Sequence, residues 1–134
     1  MHNYILQDWI TIRGTSSSTV ITQGESGYLD LAPYQDVTFW IDCRESSGGT
    51  VTMNFQTSPT KEDFLFQAAN LSTTPSSPIT MSTTTSSSNP YRVVLASNPN
   101  VPLARYVRWQ LTGPSSTPWD VTFRVLVQAN ALGL

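Results

Sequence analysis

Two stretches in the last third of the chain alternate strictly between apolar and polar residues, and that alternation limits the fold more than any other feature. Val107, Trp109 and Leu111 share one phase, with Arg108 and Gln110 on the other. Val121, Phe123, Val125 and Val127 share a second phase, opposed by Thr122, Arg124 and Gln128. Successive side chains of a strand project to opposite faces, so a period of two describes a strand with one face buried. Between the two lies Gly113-Pro114-Ser115-Ser116-Thr117-Pro118, which cannot continue a ladder because proline has no N–H to give. The expectation is a half-buried antiparallel hairpin.

The same period recurs upstream. Asp36–Cys43 places Val37, Phe39, Ile41 and Cys43 in one phase and Trp40 in the other; Thr50–Thr57 sets Val51, Met53 and Phe55 against Thr52, Asn54 and Gln56. The six residues Arg44–Gly49 join them, and Gly48-Gly49 supplies the positive φ of a tight hairpin. Shorter strands are expected at Asp8–Arg13, Thr19–Thr22, Gly27–Leu31, Phe64–Ala68, Ile79–Thr83 and Tyr91–Ala96. Apolar residues nowhere recur at helical spacing for three turns. Short strands separated by turn signals predict an all-β, two-sheet antiparallel sandwich, jelly-roll-like. An immunoglobulin-like sandwich is the alternative, disfavoured because the Cys…Trp…Cys spacing is absent.

A chain of 134 residues is most simply one domain, 1–134, able to bury a core without staples. It would carry an apolar N-terminal segment 1–9, a Ser/Thr-rich loop 72–89 and a C-terminal tail 129–134. That loop reads either as mobile or as a β-arm ordered against a neighbouring subunit. The net charge of −2 and a pI near 5.1 argue against nucleic acid as a partner, since a binder of that kind would normally show a basic face. Charged residues are only 12%, and serine and threonine, about a quarter of the chain, stand in their place. The single cysteine, Cys43, permits no internal disulfide, and its phase makes it a buried, inert thiol. No run approaches the roughly 20 apolar residues of a membrane helix, so no membrane partner is expected. Met1-His2-Asn3-Tyr4 lacks the features of a secretory signal, and synthesis in a cytoplasm is expected.

Chemistry is thinly supplied. The one histidine, His2, lies beside a terminus, which leaves no base for a Ser-His-Asp or Cys-His arrangement. Asp30, Asp36 and Asp42 fall near strand ends, where a calcium site is conceivable, but flanking turns is the simpler role, and no metal or cofactor is assigned. A glycosidase acting through paired carboxylates is the remaining enzymatic option, with no acidic pair marked out. Trp109 is in phase with the core. Trp119 abuts the 113–118 turn as a plug for one end of the sandwich. Trp40, out of phase, faces solvent, a partner or a ligand.

The termini are apolar: Tyr4, Ile5 and Leu6 precede Trp9, and Ala131, Leu132 and Leu134 follow the last strand. Such ends imply docking, onto the domain itself or onto another chain. Ala32–Trp40 (APYQDVTFW), Val51–Asp63 (VTMNFQTSPTKED) and Arg105–Gly113 (RYVRWQLTG), followed by a strand at Val121–Val127, together resemble small all-β proteins encoded among the head and tail genes of tailed bacteriophages. Arg105-Tyr106-Val107-Arg108 is also similar to a strand of discoidin-type sugar- and lipid-binding domains. The phage resemblance implies a virion protein, a decoration (cement) protein on the capsid surface, partnered by the major capsid protein and inheriting no catalytic residues. A homotrimer is expected at a local threefold axis, because rotational symmetry uses one patch repeatedly. The expected partner contacts are Tyr4, Ile5, Leu6, Trp9 and Trp40. A carbohydrate-binding module is the alternative.

Overall fold

A computed structural model describes residues 2–17, 19–68, 79–81, 91–95 and 103–131. Among them are ten strands: β1 His2–Gly14, β2 Val20–Thr22, β3 Leu29–Asp30, β4 Tyr34–Ser47, β5 Val51–Ser58, β6 Gln67–Ala68, β7 Ile79–Met81, β8 Tyr91–Leu95, β9 Tyr106–Thr112 and β10 Trp119–Ala131. Short 3-10 turns stand at Glu25–Gly27 and Asp63–Leu65.

The strands pair in nested order, as if one long hairpin had been rolled up. β1 pairs with β10, β2 with β9, β4 with β8, and β5 with both β6 and β7, all antiparallel. Successive levels of that hairpin go to alternate sheets. Sheet A runs β1-β10-β4-β8; sheet B runs β2-β9-β5-β6, with β3 also on β9 and β7 also on β5. This is the expected jelly roll. An immunoglobulin arrangement is excluded, since there the sequential hairpins A–B, D–E and F–G each lie within one sheet, whereas here β1, β2 and β4 pair with β10, β9 and β8 from the other end of the chain.

The same topology corrects both expected hairpins. β9 lies in sheet B and β10 in sheet A, so residues 113–118 cross the end of the sandwich instead of folding a strand back on its neighbour. β4 and β5 are likewise in opposite sheets. Gly48 and Gly49 do take positive φ, at 90° and 131°, but in a crossing. A Cβ on Gly48 would stand 2.1 Å from the Pro118 carbonyl oxygen, and one on Gly49 2.9 Å from Pro114 Cγ. The two crossings therefore pack on each other. Alternation states which side chains turn inward, and it is the same for strands that pair and strands that face.

The inward phases are as expected. Val37, Phe39, Ile41 and Cys43 of β4 meet Val51, Met53 and Phe55 of β5, and the β9 and β10 sets close the same core. Phe39 and Phe55 touch across the sheets at 4.2 Å between centroids, and Trp109 meets Phe123 edge-on at 5.2 Å. Each fully buried aromatic of this kind contributes about 1.5–3 kcal/mol of transfer free energy. Trp119 is buried as the plug: a Cβ on Gly14 or Gly113 would lie within 2.0 or 2.2 Å of its ring.

The terminal segments differ from expectation. The first strand is not confined to Asp8–Arg13; it begins at His2 and pairs with β10 from His2↔Ala129 to Gly14↔Trp119. Ala129, Asn130 and Ala131 continue β10 against β4. The N-terminal segment and β10 as far as Ala131 thus pair within the domain itself; Leu132 and Leu134 of the expected C-terminal tail lie outside the described residues. Of the 72–89 stretch, Ile79–Met81 pairs with Val51–Met53, and the rest lies outside the described residues.

One buried polar side chain ties the two sheets at the β1 margin. Gln23 Nε2 donates to the Leu6 carbonyl (2.9 Å) and to the Gly27 carbonyl (2.7 Å), while its Oε1 accepts from the Trp109 amide at 3.2 Å. Its own amide donates to the Trp109 carbonyl at 3.1 Å.

Candidate functional site

The outward face of sheet A carries the features most suited to contact. Its construction begins with irregularities in β1. Register shifts occur between Ile5 and Gln7, where Leu6 is the extra residue, and again between Gln7 and Ile10, where two residues, Asp8 and Trp9, stand opposite the single Arg124. A matching shift in β4 inserts Arg44 between Cys43 and Glu45, the partners of Phe123 and Thr122. Bulges of this kind re-aim side chains and also interrupt an edge strand that would otherwise template pairing.

The first bulge leaves Ile5, Leu126 and Trp40 side by side, because Ile5 pairs with Leu126 and Leu126 with Trp40. A groove of about 360 Å³ follows this row, lined by Asn3, Tyr4, Ile5, Trp40, Leu126, Val127 and Gln128. Ile5 is 62% exposed. Trp40 is half-buried, and its Nε1 donates to Gln128 Oε1 at 3.3 Å.

Farther along the same strands, the second pair of bulges assembles a charged aromatic cluster. The guanidinium carbons of Arg124 and Arg44 lie 4.9 and 5.4 Å from the centroid of the Trp9 ring, within cation–π range. Both arginines share the Asp42 carboxylate, at 3.4 Å from Arg124 Nη2 and 3.3 Å from Arg44 Nε. Trp9 remains 40% exposed.

Of the five expected contact residues, Ile5, Trp9 and Trp40 lie on this face and Tyr4 lines the groove from the core side, its hydroxyl hydrogen-bonded to that of Tyr34. Leu6 is different. It turns inward and belongs to the domain's own core, which accounts for its apolar character. Sequence reasoning missed Leu126, Asn3, Gln128 and the Asp42–Arg44–Arg124 cluster. Leu126 did carry a signal, being the apolar member of the polar phase of β10.

Elsewhere, Asp30 accepts from Arg105 at 3.1–3.4 Å, and the Arg105 guanidinium holds its carboxyl below the ordinary value of 3.8. Asp30 and Asp42 are therefore taken up by different arginines and do not converge on a cation; the Asp36 side chain lies outside the described residues. Among the described residues no group of three His, Cys, Asp or Glu side chains is placed to hold a metal. Burial raises the Cys43 thiol pKa.

Arg108 overturns its phase. The alternation puts it on the outward face of sheet B, yet it is only 4% exposed. The segment after β5 folds over it: Phe66 stacks on the guanidinium at 4.0 Å, Tyr28 flanks it at 5.6 Å, and Gln56, Tyr28 and Asp63 accept its hydrogen bonds at 2.7–2.8 Å. The expected strand at Phe64–Ala68 shrinks to Gln67–Ala68 after the 3-10 turn, and that turn holds Phe64 75% exposed.

Comparison of the chain with protein-family models, with curated proteins and with solved structures finds no match.

Proposed function

We propose that the protein is a non-enzymatic structural component of a virion, a decoration protein that adheres to the outside of a phage head through the outward face of sheet A. The single observation that carries this reading is that face. It presents Ile5, Trp40, Leu126 and Trp9 outward, while the other large apolar residues of β4 and β10 point into the core. An apolar row with an aromatic–arginine cluster beside it has the composition of a protein contact surface, where Trp and Arg dominate binding. A surface rich in hydroxyls and poor in charge, over a jelly roll, suits close packing of many copies on a shell. The major capsid protein is the proposed partner and the capsid surface the proposed location.

The test uses particles isolated from the source cells, stripped of the protein and incubated with purified chain. The Ile5→Asp/Trp9→Ala double variant is expected to bind at least about tenfold less, with unchanged circular dichroism. Particles that never carry the protein, or a double variant that coats them like wild type, would refute the reading. Deleting residues 1–9 is a poor substitute, because it removes Leu6 from the core and the pairing partners of Val125–Ala129.

One observation favours a second reading. The indole of Trp40 lines the groove together with the amide side chains of Asn3 and Gln128 and is hydrogen-bonded to the latter, a stacking surface beside hydrogen-bonding groups, as a carbohydrate-binding module requires. Glycan-array binding abolished by Trp40→Ala would select it.

A further inference from the structure

The groove on sheet A and the projecting Phe64 are matching halves of one contact. Phe64 is the most exposed large apolar side chain among the described residues. The backbone that carries it is anchored on both sides. The Leu65 and Phe66 amides donate to the Glu62 and Asp63 carbonyls at 3.1 and 3.3 Å, Asp63 is anchored on Arg108 at 2.7 Å, and Phe66 is tucked beneath. A side chain carried on backbone already ordered before contact adds no backbone ordering cost to binding, which suits an anchor residue. The opposite face supplies a receptor. A benzene-sized ring needs about 150 Å³, and the groove of about 360 Å³ between Ile5, Trp40 and Leu126 accommodates it with its flanking backbone. The flanks agree in charge as well. Glu62 is exposed beside the knob, Asp63 being paired with Arg108 and Lys61 lying over the Tyr106 ring, while Arg44 and Arg124 share a single carboxylate beside the groove.

We propose that a second copy of this chain seats its Phe64 in the Tyr4–Ile5–Trp40–Leu126 groove. Arg108 holds the outward side of sheet B, where the knob stands, and the groove lies on the outward side of sheet A, so one copy does not fill its own groove. The contact is heterologous, each copy offering a knob to one neighbour and a groove to another. This rests on the adhesive role proposed above and deepens it: self-association takes the groove and its flanking arginines, leaving Trp9 at the far end of the face for the larger body.

Sedimentation of the purified full chain over a concentration series tests this. Wild type is expected to rise in mass beyond a dimer, with a midpoint that moves to higher concentration in high salt. Phe64→Asp, which spoils the knob, and Ile5→Asp, which spoils the groove, each stay monomeric with wild-type circular dichroism. Mixed one to one, they form a dimer and nothing larger, because one intact knob meets one intact groove. A wild type that stays monomeric, a mixture that does not associate, or Phe64→Asp that assembles like wild type would each overturn the proposal. The last outcome, with Ile5→Asp monomeric, would mean that the groove takes its own symmetry mate instead of Phe64. Monomeric wild type that still coats particles defeats this contact alone, and association without coating defeats the virion role alone.

Discussion

Replacing Gln23 by leucine isolates the tie between the two sheets. The substitution keeps side-chain volume and apolar packing but removes one acceptor and two donors. The Trp109 amide and the Leu6 carbonyl are buried and lose the bonds of 3.2 and 2.9 Å; the Gly27 carbonyl, bonded at 2.7 Å, is half-buried and open to water. An unsatisfied buried backbone group costs roughly 1–3 kcal/mol, so the two buried ones imply a loss of about 4 kcal/mol, a large share of the 5–15 kcal/mol typical of a domain. With a urea m-value of about 2 kcal/mol/M, the unfolding midpoint read by tryptophan fluorescence should fall by roughly 2 M at unchanged m. Gln23→Glu refines the test. Its carboxylate would face the Leu6 and Gly27 carbonyls, so its folded pKa would be raised above the unfolded value. Stability would then be highest below the unfolded pKa and fall as pH rises through the folded one. A Gln23→Leu protein within about 1 kcal/mol of wild type would refute the assignment of this residue as the tie between β1 and β9.

Gly14→Ala should destabilise by about 1–3 kcal/mol or more through overpacking, since the new methyl meets the Trp119 ring at 2.0 Å; the cost should shrink in a Trp119→Leu background, measured by a double-mutant cycle of urea midpoints. Cys43, buried and with its pKa raised by desolvation, should resist alkylation at pH 8 until the protein unfolds; labelling of the native state within minutes would contradict its placement. The Asp30–Arg105 pair gives a pH signature. Because the Asp30 pKa is lowered in the folded state, its contribution is present above the unfolded pKa and is lost as pH falls through the folded one. Asp30→Asn should therefore differ slightly from wild type at neutral pH and low salt, and the difference should close in acid or in 1 M salt; a gap that widens in acid would reverse the assignment.

The alternation of Val37–Cys43, Val51–Phe55, Val107–Leu111 and Val121–Val127 determined from sequence which side chains build the core, and with that an all-β sandwich, because a strand's period of two needs no knowledge of its neighbours. Pairing was decided only in the folded chain. β9 and β10 present the same pattern whether they share a ladder or face each other across 113–118, and the choice is made by the distant partners β1, β2, β4 and β5. The face proposed for contact follows from register slips around Ile5–Ile10 and Arg44, which no local preference announces. Arg108 makes the same point in reverse: its phase points outward, and it is buried because Tyr28 and Phe66, remote in sequence, close over it. Which side a residue faces is a local property of the backbone; what covers that side is a property of the whole fold.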